Sequence, residues 1–251
     1  MKNDRFQMTN GKWFLLGLSL ILSLLLLAVS ATAQTPAPAA PQANDLQSLI
    51  ARQAALVAEF DVNGLKVLVK RREGSQTVAA GLFLRGGSRN ITTANAGIET
   101  LMLDVMSEGS ASYPRERLRS ELARTGTVIG SSGNYDYSVL SLTSTRANFD
   151  SMWNLFTDVA LHPAFIKEDF DLTKTRALTG LADDTDDPDT YLQRLQERTA
   201  YAGHPYINRP EGTVESVSRL SLDDLRKYHQ QMMETSRLML VIVGDLDARE
   251  L

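Results

Sequence analysis

Residues 94–110, ANAGIETLMLDVMSEGS, decide how the rest of the chain is read. Ile98, Leu101, Met102 and Val105 recur at i, i+3, i+4 and i+7, while Thr100, Asp104, Ser107 and Glu108 line the opposite side. That spacing predicts a helix with one buried face. The polar side carries no histidine. The chain has 251 residues, three histidines and no cysteine, so disulfides and cysteine metal sites are excluded.

Working outward toward the C-terminus, Pro114 and the pair Leu118 and Leu122 predict a second helix ending near Gly126. Residues 127–131 and 135–145 read as strands, the second alternating with Leu140 and Leu142 on one face. Phe149, Met152, Trp153 and Phe156 repeat the buried-helix spacing. A weaker helix over residues 166–182 runs into ADDTDDPD, a charge run that reads as a solvated helix end, and residues 189–202 form another helix. Ser221 and Asp224 make a capping box, with Leu220 and Leu225 as its hydrophobic staple. Residues 238–243, LMLVIV, are apolar without alternation and predict a strand covered on both faces. Gly244-Asp245 turns into an expected further helix at Asp247, an ending that suggests a longer natural product.

Working outward the other way, Gly86-Gly87 closes a strand over residues 77–84, and Asn63-Gly64 between two alternating runs asks for a tight hairpin. Residues 45–58 carry a helical apolar pattern, and residues 34–44 begin as the Pro/Ala linker QTPAPAAPQ. Lys2, Arg5 and Lys12 precede an apolar run at residues 13–29, and Ala31-Thr32-Ala33 supplies a cleavage site, so residues 1–33 read as a signal peptide. An uncleaved membrane anchor is the alternative. Cleavage removes three basic residues and one acid from a chain of formal charge −4, leaving an exported, periplasmic or envelope-associated protein still more acidic, which argues against a nucleic-acid partner. Strands in clusters with helices between them predict an α+β fold, an antiparallel or mixed sheet covered by helices.

Two segments carry a family resemblance. NGLKVLVKRREGSQTVAAGLFLRGGSR (63–89) and the stretch from GHPYINRPEGT (203–213) through the buried strand ending in Gly244-Asp245 resemble the pitrilysin/insulinase zinc metallopeptidases. The resemblance covers about residues 55–251 and implies the fold of one half, the N-terminal domain, of such an enzyme, the domain here taken as residues 45–251. In that family zinc is held by H-x-x-E-H on a helix, two histidines converging from i and i+4 beside a glutamate that activates water. A further glutamate comes from a downstream helix. Anchored on Gly109, the motif falls on Thr100, Leu103 and Asp104, and the downstream ligand falls at or beside Gly180. Thr is a poor zinc ligand, Leu accepts no proton, and a lone carboxylate holds zinc weakly. His162, His204 and His229 sit in separate segments, His204 in a structural turn and His229 expected at a helix surface. A hard-cation site from Asp104 or Glu108 with the 183–187 acids is a minor alternative.

The resemblance therefore implies a non-catalytic member: no catalytic residue, no metal and no cofactor, working with a zinc-bearing subunit or second half on peptide substrates. For peptide contacts it points to an edge strand near residues 136–139, against the plainer reading of an ordinary antiparallel pair. The competing expectations are an active zinc endopeptidase with atypical ligands and a peptide-binding module tethered to the membrane by an uncleaved N-terminal segment.

Overall fold

In a computed structural model the described residues are 43–249, so the expected signal peptide and nearly all of the linker lie outside them. The chain divides into two compact units, one through Ile50 and one from Ala51 onward. Helix α1 (Ala43–Ala55) begins two residues earlier than the sequence predicts and ends in the second unit.

The second unit opens with the hairpin β1 (Val57–Val62) and β2 (Leu65–Arg71). Val62 faces Leu65 across a two-residue turn in which Asn63 and Gly64 have φ of 51° and 86°, the doubly left-handed turn that matches strand twist. Strand β3 (Thr77–Arg85) follows, then α2 (Ile98–Met106), α3 (Arg115–Thr125), β4 (Val128–Gly133) and β5 (Tyr137–Thr145). Helices α4 (Phe149–Leu161), α5 (Lys167–Asp186), α6 (Pro188–Ala200), α7 (Val214–Arg219) and α8 (Leu222–Met232) lead to the last strand, β6 (Leu238–Gly244).

The six strands form one mixed sheet in the order β1-β2-β6-β3-β5-β4, in which only β2 and β6 run parallel. Register aligns the side chains into rows. Val67, Leu240, Leu82 and Leu140 lie across one row, and Val69, Ile242, Ala80 and Leu142 across the next, all buried. α2 and α4 pack over this face, and Phe149, Met152, Leu155, Phe156 and Val159 complete the core. Burying so many large side chains against one sheet face contributes roughly 1.5–3 kcal/mol apiece.

Three expectations are corrected here. Strand β6 alternates between buried and half-buried residues rather than being covered on both faces, because its second face belongs to the partly exposed side of the sheet. Strand β5 is interior, bonded to β3 and β4, so residues 136–139 are not at an edge; the edge strands are β1 and, beside β5, β4. Among the described residues no helix starts at Asp247. The capping box does form: Ser221 Oγ accepts from the Asp224 amide while the Asp224 carboxylate accepts from the Ser221 amide.

α2 starts later and is buried more widely than its spacing predicts, with Leu103 and Met106 as fully covered as Met102. Gly97 explains the late start. It sits at φ 90°, and a Cβ there would lie 2.8 Å from the Glu211 carbonyl oxygen, so the helix enters on a left-handed residue that only glycine fits.

Candidate functional site

The polar side of α2 faces the sheet edge. The row Val67–Leu240–Leu82–Leu140 continues onto β4 at Ser131, where the apolar surface stops and a polar contact takes over. Ser131 Oγ donates to Asp104 Oδ1 at 2.5 Å. One turn earlier Thr100 Oγ1 donates to the Pro210 carbonyl at 2.7 Å, and it lies so close to β4 that a Cβ on Gly133 would fall 2.1 Å from it. Thr100 and Asp104, four residues apart, thus stand together against β4. Leu103 is wholly buried in the core. Gly180 lies mid-helix in α5, which packs against α2; it is exposed, with open space where a side chain would be.

Burial, opposed by the Ser131 hydrogen bond and reinforced by the nearby Glu108 charge, raises the Asp104 pKa above the ordinary carboxylate value. A carboxylate whose folded pKa is raised costs stability at neutral pH, and that cost disappears as pH falls through the folded value. Asp104→Asn, whose amide oxygen accepts the same Ser131 proton, is expected to raise the unfolding free energy at pH 7. The gain should shrink on acidification and vanish below the unfolded aspartate pKa. Denaturant titrations across that range check it, and a destabilised variant at pH 7 would contradict the sign.

Glu108, the last member of the stripe, is the centre of an ion-pair cluster that helical spacing did not reveal. Its carboxylate meets Arg115 at 3.3 Å, Arg119 at 2.9 Å and Arg176 at 3.3 Å, and Arg115 also pairs with Asp169. The cluster ties α3 and α5 to the end of α2. Only the i, i+4 spacing of Arg115 and Arg119 hinted at it in the sequence. A second unforeseen contact joins α8 to α2: the Tyr228 hydroxyl donates to Glu99 Oε2 at 2.6 Å in the core. Desolvation there pushes the tyrosine pKa far up.

These partners bear on metal binding. Glu108 faces three guanidinium groups, and among the described residues no group of three or more His, Cys, Asp or Glu is placed to hold an ion. The histidines are dispersed. His162 ends α4 beside Asp158, and His204 accepts from the Tyr206 amide in a short turn, as its sequence context suggests. His229 is not at the surface: it is buried, with Nε2 2.9 Å from the Ala160 carbonyl, and desolvation lowers its pKa. Its position four residues after Leu225 and three before Met232, on the core face of α8, was the missed signal.

The architecture, a six-stranded mixed sheet with the α2 face meeting its edge, can now be set beside known proteins. The sequence profile of the family described as Insulinase (Peptidase family M16) matches residues 66–213. The chain belongs to the insulinase family. Among M16 relatives, the zinc protease PqqE of Helicobacter pylori is 24% identical over 194 residues, 75% of this chain and 43% of that protein. The non-peptidase homolog YmxG of the same organism is 22% identical over 196 residues, 77% of this chain and 45% of that protein. The crystal structure of a peptidase M16 inactive domain from Pseudomonas fluorescens superposes with a TM-score of 0.71 at 21% identity, covering 77% of this chain and 48% of that one. The M16 fold is thereby established, and the chain spans less than half the length of these relatives.

Zinc does not fit the four positions at which the family resemblance would put its ligands. Thr100 presents a hydroxyl already committed to a carbonyl, Leu103 an alkyl group, Asp104 a carboxylate held by Ser131, and Gly180 no side chain. A tetrahedral zinc site takes three or four such donors, and one is present.

Proposed function

We propose that this chain is the non-catalytic half of an exported two-half M16 metallopeptidase, working with a zinc-bearing subunit or second half and supplying part of the wall that holds the peptide. The single observation that carries the reading is the helix α2 face: Thr100 and Asp104, where the family resemblance puts zinc donors, are bonded to Pro210 and Ser131 within the M16 fold. The half-length match to relatives is consistent with a missing counterpart. Lys2, Arg5, Lys12 and the apolar run after them support export.

For peptide handling the relevant feature is β4. Among the described residues it is an edge strand whose outer row of backbone groups pairs with no other strand, immediately beside Thr100 and Asp104, and Gly130 and Gly133 keep it narrow. An extended peptide added there gains main-chain hydrogen bonds independent of its sequence.

Co-expression with the zinc-bearing M16 protein of the same source tests the reading. The expected result is a stable complex whose peptide cleavage is abolished by chelation, while this chain alone holds no stoichiometric zinc and cleaves nothing. Stoichiometric zinc and chelator-sensitive cleavage by the lone chain would instead establish the active-enzyme alternative. A lone chain that retains peptides and never associates with an M16 partner would establish a binding module.

A further inference from the structure

A cleft of about 960 Å³ opens between the end of α5, helix α6 and the segment that follows α6. That volume lies in the range of small-ligand sites. Among the described residues nothing covers its apolar wall. Tyr191 and Leu195 of α6 are 50% and 40% exposed, and Ile207 and Val214 opposite are 39% and 45% exposed. α6 buries none of its residues fully, although Tyr191, Leu195 and Arg198 share one side of it at helical spacing.

The charges in the cleft run against those of the chain. Arg194, Arg198, Arg209 and Arg219 line it with two acids, Glu197 and Glu215, in a protein of net charge −4. Both acids are engaged: Glu215 pairs with Arg219, and Glu197 lies 4.0 Å from Arg209, which also meets Glu211 at 3.6 Å. Arg198 has no ion-pair partner among the described residues. Uncovered leucine and tyrosine surface beside an unpaired guanidinium suits an apolar body ending in a carboxylate, which a planar fork binds through two parallel hydrogen bonds.

We propose that this cleft binds the free C-terminus of an apolar peptide, the terminal carboxylate meeting Arg198 and the last side chains lying along Tyr191, Leu195 and Val214. The occupant is a peptide rather than an all-methylene chain because the wall alternates apolar patches with polar pairs, Arg209 with Glu197 and Arg219 with Glu215. Backbone amides can add hydrogen bonds to the free lone pairs and N–H groups of those pairs, whereas methylenes would only strip them of water. The proposal shares with the reading above only the premise that the ligand is a peptide. It requires no second subunit, so failure to find a partner leaves it standing.

Calorimetric titration of the lone chain with the peptide acetyl-Ala-Ala-Leu-Phe, as free acid and as C-terminal amide, tests it, with dodecanoate as a third ligand. The free acid should bind at least tenfold more tightly than the amide. Arg198→Glu should abolish that difference while leaving the amide unchanged, and Leu195→Asp should weaken both peptides. Both substituted positions are exposed, and unchanged melting temperatures would show that the variants are folded. Equal binding of acid and amide, an Arg198→Glu variant that still prefers the acid, no binding at millimolar peptide, or tighter binding of dodecanoate than of either peptide would each overturn the proposal.

Discussion

Leu103→Glu is expected to lower the unfolding free energy by about 3–5 kcal/mol, the cost of leaving an uncompensated charge inside a folded protein. Leu103 has no exposed surface and belongs to the apolar core. Thr100 and Asp104, the polar groups nearest to it on the helix, are already bonded to Pro210 and Ser131. Leu103→Met, which keeps the size and removes the charge, should cost less than about 1.5 kcal/mol. Denaturant midpoints at unchanged slope measure both, and the gap between the two variants is the quantity that matters. A Leu103→Glu variant as stable as the parent would mean that the site retains a cation or water able to hold a carboxylate, and the non-catalytic reading would lose its physical basis. A large loss would show that the core around Leu103 cannot accept a charged side chain.

Glu108→Ala is expected to cost about 2–3 kcal/mol, less than a fully buried pair because Glu108 and Arg115 keep 13% and 18% of their side-chain surface exposed. Removing the acid leaves Arg115 against Asp169 alone and releases Arg119 and Arg176. The outer arginines are about half exposed, at 52% and 58%, so Arg119→Ala and Arg176→Ala should each cost no more than about 1 kcal/mol. A double-mutant cycle of Glu108→Ala with Arg115→Ala should fall short of additivity by an amount that isolates the inner pair. Full additivity would reduce the cluster to surface decoration and leave the junction of α2, α3 and α5 to apolar packing alone.

Elements whose cause is local were legible in the sequence. Asn63-Gly64 fixed a hairpin because those residues tolerate positive φ, and Ser221 with Asp224 fixed a helix start because their side chains bond the first free amides. The missing histidines were equally plain, since absence needs no geometry. Strand order was not legible: β5 alternates as an edge strand would, and only pairing with β3 as well as β4 makes it interior. Alternation records which face is buried, not which neighbour covers the backbone edge. The partners at the site were hidden for a related reason. Ser131 and Pro210 lie far along the chain from Asp104 and Thr100, and polar residues that bond across such distances leave no periodic trace. His229 is different, because its phase with Leu225 and Met232 already placed it inward.

The position of β6 has a consequence for how such a chain matures. β1 and β2, made first, touch the remaining strands only through β6, made last, which enters between β2 and β3 and bonds to both. Until residues 238–244 have emerged from the ribosome, the opening hairpin and the β3-β5-β4 ribbon are two separate pieces with unsatisfied flanks. Joining them requires closure of loops that span most of the domain, a slow event for a topology this non-local. A chain made from its N-terminus meets that demand only once residues 238–244 are free to enter the sheet.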